Sequence, residues 1–321
     1  MEFYAACLAT DETRIEHGLR IEQHLRMKSA RTLFVLLTLF CVSALQAQTH
    51  FKREEVIYGH KAGMALTMDV FTPEKPNGYG LIWVVSGGWF SAHEAIPTNF
   101  PGLLDHGYTV FAVCHGSQPK FTITEIVPDM MRSVRFIRHN ATKYGIRPDK
   151  IGVSGGSAGG HLSLTLATQG GPGDPKATDA VDQESSTVQC VACFFPPTDF
   201  LNYGKAGEDG VGFGILKGFK AAFGSEADTP EGRRKLGHNI SPIYFVHSNQ
   251  APILIIHGDA DKLVPFQQAE TFVAKCKEMG DVAKVSVRPG KGHGWPDWLN
   301  DVKEFADWYD EHLRGLKMST K

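Results

Sequence analysis

The chain has 321 residues and no excess of charge of either sign. Its 33 Lys and Arg residues nearly balance its 35 Asp and Glu residues, which leaves a formal net charge of −2. Proteins that bind nucleic acid or anionic membrane surfaces usually carry a basic excess, because they must neutralise phosphate groups. The composition therefore gives no electrostatic support for such partners, and no nucleic-acid binding is expected.

Sequence motifs for common cofactors are missing as well. The chain contains no H-E-x-x-H pair for zinc and no G-x-G-x-x-G fingerprint opening the first helix. Cysteine is sparse, and Cys114, Cys190 and Cys193 lie in apolar, strand-like runs, where they are expected to be buried small hydrophobic residues. Although Cys190 and Cys193 have C-x-x-C spacing, no second ligand pair accompanies them, so neither a metal nor an organic cofactor is predicted.

Long hydrophobic runs are absent except near the amino terminus. Residues 33–42 are apolar, follow a basic segment and are too few to span a membrane as a helix. Small residues follow, with Ala44 and Ala47 as candidate cleavage points. This arrangement is typical of a secretory signal peptide, predicted over 27–47. The protein is therefore expected to be secreted or periplasmic, without a stable membrane anchor.

Residues 1–26 do not fit this pattern, because they mix acidic and basic side chains ahead of the basic segment. A signal sequence normally begins near its basic end, which is where Met27 lies. Residues 1–26 are therefore predicted to be an extension that does not belong to the native start of the protein. A short cytoplasmic tail on a signal anchor is the alternative.

Beyond this leader, strand-like and helix-like segments alternate along the chain. Short apolar or alternating runs predict strands at 65–71, 81–85, 108–113, 151–154, 188–195, 251–257 and 285–287. Apolar residues at helical spacing predict helices over 130–141, 266–279 and 299–313. Such alternation predicts a doubly wound α/β fold with a mainly parallel sheet covered on both faces, whose site lies beyond the carboxyl ends of the strands.

Residues 155–159 read Gly-Gly-Ser-Ala-Gly, a G-x-S-x-G motif between the strand at 151–154 and a helix-like segment at 161–167. In this context the motif is typical of a nucleophile elbow, a sharp turn that exposes a serine hydroxyl. Glycines on either side tolerate the tight backbone. Ser157 is therefore the candidate nucleophile.

A serine needs a base to take its proton, and in hydrolases with this elbow the partners follow in the order Ser, acid, His. His293 lies between glycines on a loop, where it has little packing purpose, and is the candidate base. Asp259 and Asp261 follow a buried strand ahead of it and are candidate acids. Asp199, after an earlier strand, is a further candidate.

Five stretches together resemble the motifs of α/β-hydrolases of the esterase/lipase group. They are SGGW at 86–89, GGSAGGHL at 155–162, SPI at 241–243, HGDADKLVP at 257–265 and GHG at 292–294. They are similar to those of bacterial feruloyl- and acetyl-esterase-like (BD-FAE-like) carboxylesterases. The resemblance implies an eight-stranded sheet within one catalytic domain over 50–317.

The resemblance also implies which carboxylate is the acid. In this family the acid lies three residues before a Val-Pro pair, which places it on Asp261 rather than on Asp199. Asp259 is then expected to shape the loop.

An oxyanion hole needs backbone N–H groups aimed at the charge that develops on the substrate oxygen. The resemblance implies that Ala158 supplies one, and that Gly88 and Trp89, in the loop after the strand at 81–85, supply the others. This chain has Ser86 where related families usually have histidine.

Residues 200–240 interrupt the alternation with an apolar, glycine-laced insertion. Related enzymes often have a lid at this place, so the insertion is expected to be lid-like and to cover the acyl pocket. A surface excursion with its own small cluster is the alternative.

Together these features predict an exported serine hydrolase that cleaves short-chain acyl or carbohydrate-linked esters, such as acetyl or feruloyl esters. Ser157 would attack the carbonyl, His293 would carry the proton and Asp261 would orient His293. The same triad could serve an amidase or a peptidase, and a catalytically silent binding protein with this fold is a further alternative.

Overall fold

A computed structural model describes residues 51–317, whose core is one eight-stranded sheet with helices on both faces. The predicted extension (1–26) and signal peptide (27–47) lie outside the described residues. The strands are β1 (Phe51–Lys61), β2 (Met64–Pro73), β3 (Gly80–Val84), β4 (Thr109–Val113), β5 (Ile151–Gly156), β6 (Cys190–Phe194), β7 (Ile253–Gly258) and β8 (Ala283–Arg288). The helices are α1 (Pro101–Leu104), α2 (Ile123–His139), α3 (Ala158–Gln169), α4 (Lys220–Phe223), α5 (Pro230–Ile240), α6 (Gln267–Glu278) and α7 (Val302–His312).

The strands follow the order β1-β2-β4-β3-β5-β6-β7-β8. β1 pairs antiparallel with β2, and β2 pairs antiparallel with β4. From β4 to β8 every pairing is parallel. The prediction of a mainly parallel, eight-stranded α/β sheet is confirmed. The alternating run at 65–71 forms part of β2 and is antiparallel, as expected.

Strand β1 was not predicted from the sequence. This strand lies at the edge of the sheet and reads FKREEVIYGHK, with Tyr58 and Gly59 as its only buried positions. An edge strand with charged side chains resists pairing with other chains, but it lacks the apolar alternation by which strands are recognised.

Two hydrophobic clusters cover the two faces of the sheet. In β3, Ile82 and Val84 contribute to the larger cluster, whereas Leu81 and Trp83 contribute to the smaller one. Helices α2, α3 and α6 add buried residues to the larger cluster, and α1 and α7 add theirs to the smaller one. Both faces of a central parallel strand are covered, so these strands are buried on both sides. This burial explains their nearly continuous apolar sequences.

The insertion at 200–240 folds into α4, α5 and short helical turns. Phe200, Tyr203, Leu216 and Phe223 are buried in the larger cluster rather than in a cluster of their own. The insertion is therefore continuous with the main core.

Cys190 and Cys193, the C-x-x-C pair, are both buried on β6 but belong to different clusters, on opposite faces of the sheet. Side chains at this spacing in a strand point apart, so the two thiols cannot act as a pair. None of the helices within residues 51–317 combines the length and the apolar character that a membrane crossing requires.

Candidate active site

The predicted nucleophile stands at the sharp turn between β5 and α3. Ser157 has a backbone φ of 54° and a ψ of −118°, a combination that non-glycine residues rarely adopt. The Ser157 N–H donates to the carbonyl of Phe194 at the end of β6, which ties the turn to the neighbouring strand. Strained backbone of this kind persists only where its surroundings enforce it, and it concentrates at functional sites.

The two outer glycines of the motif allow the backbones to come close at this turn. A methyl group on Gly155 would lie 2.6 Å from the backbone of Gly159. A methyl group on Gly159 would lie 2.7 Å from the carbonyl oxygen of Val84, at the end of β3. The glycines of the motif are therefore needed for the close approach of β5, α3 and β3, in addition to the backbone conformation of the turn.

Ser157, His293 and Asp261 come together in one hydrogen-bonded chain. His293 Nε2 lies 2.9 Å from Ser157 Oγ, and His293 Nδ1 lies 2.8 Å from Asp261 Oδ2. The three side chains follow β5, β8 and β7 respectively, at the edge where the carboxyl ends of parallel strands meet. A serine hydroxyl, an imidazole and a carboxylate in this order can perform nucleophilic catalysis with general-base help.

The carboxylate of Asp261 is buried and held in its charged form. Its Oδ1 accepts hydrogen bonds from the N–H groups of Leu263 and Val264, both at 2.9 Å. Burial by itself would raise the pKa of Asp261, but hydrogen bonds from His257 and His293 and the charge of His293 outweigh it. The pKa of Asp261 is therefore held well below its usual range, as an acid that stabilises a cationic imidazole requires.

The other two candidate acids have different surroundings. Asp259 Oδ1 accepts a hydrogen bond from the N–H of Gly290 at 2.6 Å, which ties together the two loops of the site. Asp199 accepts hydrogen bonds from the N–H groups of Leu201 and Asn202 and from the hydroxyl of Tyr244. Asp199 therefore closes its own turn, and the histidine is paired with Asp261.

The candidate oxyanion turn comprises residues 87–90. The N–H groups of Gly87 and Phe90 each donate to the carbonyl of the other at 2.9 Å. Gly88 and Trp89, between them, both have left-handed φ values, 56° and 60°. Within residues 51–317 their N–H groups have no backbone acceptor.

Ala158 begins α3 directly after Ser157. The first N–H groups of a helix have no partner within it. The oxyanion turn and the start of α3 can thus both offer N–H donors, and their catalytic role is part of the proposal below.

A cavity of about 360 Å³ opens beside Ser157. Its wall is largely apolar and aromatic, with Trp83, Phe195 and Trp298 among the lining residues. Among the described residues, the wall includes 83–87 and, from two further loops, Ala95, Pro97, Gly294, Trp298 and Leu299, but no part of 200–240. That the insertion covers an acyl pocket therefore stays a prediction.

Three side chains that support the site were not identified from the sequence motifs. His257 is fully buried, and its Nε2 lies 3.0 Å from the carbonyl oxygen of Val264 and 3.3 Å from Asp261 Oδ2. The Phe195 ring lies 4.5 Å from the ring of His293, on backbone with a φ of 34°. His161, in the second turn of α3, contacts the indole of Trp89. His257 and His161 lie within the motifs quoted above, and this position was the sequence feature that could have identified them.

Comparison with known proteins gives relatives that are named as esterases. The chain is 28% identical to the esterase LipQ of Mycobacterium tuberculosis over 203 residues, which cover 62% of this chain and 46% of LipQ. The chain thus spans about half the length of that relative. It is 31% identical to an acetylxylan esterase of Xylanibacter ruminicola over 141 residues, 43% of this chain and 28% of that enzyme.

Among solved structures, the fold is similar to that of a truncated carbohydrate esterase from gut microbiota. The TM-score is 0.67 at 24% identity, covering 81% of this chain and 97% of that one. At this identity the likeness establishes the α/β-hydrolase fold. The sequence profile of the BD-FAE family matches residues 68–276, well over half of the chain. The chain therefore belongs to the BD-FAE family.

Proposed function

We propose that this chain is an exported serine esterase that cleaves carboxylic esters through an acyl-enzyme. The observation that carries the proposal is the hydrogen-bonded chain from Ser157 through His293 to Asp261, at a strained elbow beside an open cavity. The naming of the relatives as esterases supports the same reaction class.

In the first half of the reaction, Ser157 Oγ attacks the ester carbonyl while His293 Nε2 takes the hydroxyl proton. Negative charge on the carbonyl oxygen is met by the N–H groups of Ala158 and the oxyanion turn. The tetrahedral intermediate collapses as His293 returns the proton to the leaving alcohol. Asp261 orients the imidazole and stabilises its cationic form throughout.

In the second half, water takes the place of the alcohol. His293 removes a proton from the water, the hydroxide attacks the acyl carbonyl, and the proton then returns to Ser157 as the acid is released. The hydrogen-bonded geometry of the triad serves both halves without rearrangement.

We further infer that the substrates are short-chain acyl or carbohydrate-linked esters, with acetyl and feruloyl groups as the leading candidates. The likeness to an acetylxylan esterase supports this, and an apolar, aromatic cavity of about 360 Å³ has room for more than an acetyl group.

Kinetics of wild type and Ser157→Ala on one panel of esters test both parts. The panel comprises p-nitrophenyl acetate, butyrate and octanoate, an acetylated xylo-oligosaccharide and a feruloylated sugar. Ser157→Ala should lower kcat by about 10⁴-fold or more while the fold is kept. Near wild-type turnover in the variant would refute the serine mechanism, and activity on the octanoate alone would refute the substrate class.

Export is part of the proposal and is supported by the apolar run at 33–42 and the small residues after it. Protein expressed from Met27 should leave the cytoplasm and begin near Gln46 or Gln48. N-terminal sequencing of the recovered protein measures this, and a chain that stays in the cytoplasm and still begins at Met27 would contradict export.

A further inference from the structure

The indole of Trp89 is anchored beneath the oxyanion turn by a single hydrogen bond. Trp89 is 2% exposed, and its Nε1 donates to Nδ1 of His161 at 3.2 Å. The left-handed backbone of Gly88 and Trp89 needs support from its surroundings, because such conformations are costly for a bulky residue. The carbonyl of Trp89 accepts a hydrogen bond from the N–H of Gln118 at 3.1 Å, and the buried side chain of Trp89 is a second direct contact by which the rest of the molecule can hold this turn.

His161 is fully buried and joins three segments of the site. Its backbone N–H donates to the carbonyl of Ser157, one turn earlier, at 2.9 Å. Its Nε2 lies 2.7 Å from the carbonyl oxygen of Ile240, at the end of α5 in the insertion. Through its Nδ1 it reaches Trp89. One imidazole thus connects the nucleophile helix, the oxyanion turn and the insertion.

The hydrogen bonds of His161 fix its tautomer. An indole N–H can only donate, so His161 Nδ1 has to accept and carries no hydrogen. His161 Nε2 therefore carries the hydrogen and donates it to the Ile240 carbonyl. Burial lowers the pKa of His161 to about 4, which leaves the ring neutral, as this arrangement requires, at neutral pH.

Aromatic side chains of the insertion complete the support. The Trp89 ring packs against Phe200 and Phe223, with ring centroids at 5.8 Å and 5.3 Å. Phe219 lies so close to Gly88 that a methyl group there would come within 2.4 Å of its ring. The insertion thus contacts both residues of the oxyanion turn whose N–H groups are candidate donors.

We propose that His161 is a positioning residue that holds the oxyanion turn through Trp89, and that the insertion is a fixed support for that turn. The proposal rests on the esterase function proposed above. Because a displacement of about 1 Å in a catalytic group can cost about 10²-fold in rate, loss of this contact should lower kcat by about 10- to 100-fold with little change in KM.

Two variants separate the two hydrogen bonds of the imidazole. Asparagine at 161 can still accept from Trp89 but is too short to reach the Ile240 carbonyl. Glutamine can donate to Ile240 but places its amide beyond the indole N–H. His161→Asn should therefore keep most of the kcat, whereas His161→Gln should lose it. Trp89→Phe keeps the aromatic packing, removes the donor and should match His161→Gln.

The most specific measurement is the ratio of kcat/KM for an oxygen ester to that for the corresponding thionoester. A thionoester places sulfur, a weak hydrogen-bond acceptor, where the oxyanion would form. Correctly placed N–H donors in the oxyanion hole therefore accelerate its hydrolysis less than that of the oxygen ester. The ratio should fall about 10-fold in His161→Gln and Trp89→Phe, and the double variant should fall no further than either single one. Because unfolded protein cancels from a ratio, a merely structural role would leave it unchanged.

Val134→Ala is the control, since Val134 is fully buried on α2 in the same core and belongs to neither the oxyanion turn nor the insertion. It should lower the thermal midpoint and leave the ratio at the wild-type value. If His161→Gln does not fold, Trp89→Phe carries the test. An active wild type with unchanged ratios in Trp89→Phe and every folded His161 variant overturns this proposal alone, whereas a wild type that hydrolyses no ester overturns the esterase function and this proposal together.

Discussion

Among the carboxylates near the site, hydrogen bonding singles out Asp261 as the partner of the histidine. Its Oδ2 lies 2.8 Å from His293 Nδ1, on a side chain closed off from solvent. Asp261→Asn should lower kcat by about 10⁴-fold, because an amide that donates to His293 favours the wrong tautomer of the imidazole. Steady-state kinetics on one activated ester, with the fold checked by circular dichroism, measure the effect.

Asp199→Asn is the matched comparison, because Asp199 is also buried and also accepts several hydrogen bonds. Asp199→Asn should lower the free energy of unfolding by about 1–3 kcal/mol and leave kcat near the wild-type value. If Asp199→Asn were the more damaged of the two in kcat, the assignment of the acid would be wrong.

The three residues of the proposed triad could be found from the sequence because each lies in a short motif directly after a strand. Their surroundings could not be found in this way. His161 and Trp89 are 72 residues apart, and the bond between them depends on the side-chain packing of α3 against the oxyanion turn. Motif spacing carries no information about such a contact.

At the level of the secondary-structure elements, the junction of β3, β5 and α3 determines where Ser157 lies. Gly159→Ala should displace the start of α3 from β3, since the added methyl group would meet the Val84 carbonyl, a backbone atom that cannot turn away. We expect a stability loss of about 1–3 kcal/mol and a kcat at least about 10-fold lower. Urea unfolding and ester kinetics measure the two quantities.

Gly171→Ala, just after the same helix, is the control, because a methyl group there has nothing within 4 Å. It should retain both stability and activity. Equal behaviour of the two alanine variants would show that the close approach at Gly159 does not matter.

The elements that the sequence predicted well are those with continuous apolar sequences. At the carboxyl-terminal helix the prediction was wrong by one turn. The helix was predicted to begin at residue 299, but Leu299 lies in a short 3-10 turn at Trp298–Asp301 and is 44% exposed, and α7 begins at Val302. A 3-10 turn before a helix can continue the apolar spacing of the helix in the sequence. Because it has fewer residues per turn, its apolar side chain does not continue the buried face of the helix.

For the molecule as a whole, the order of the strands places the three triad side chains at one edge of the sheet. Sequence alternation was enough to predict a parallel sheet covered on both faces, since the central strands are largely apolar. It was not enough to predict how the insertion packs, because Phe200 and Phe223 join the main core through contacts with Trp89, which is distant in the sequence. The cavity wall likewise combines loops that follow several strands.

The site of covalent modification by a phosphonate ester most directly tests whether Ser157 is the nucleophile of an esterase. Tandem mass spectrometry should find one phosphonyl group on Ser157 of the wild type and none on Ser157→Ala. His293→Ala should react at least about 10²-fold more slowly than the wild type, because no base takes the hydroxyl proton. A label on another residue, with ester hydrolysis retained in Ser157→Ala, would contradict the mechanism.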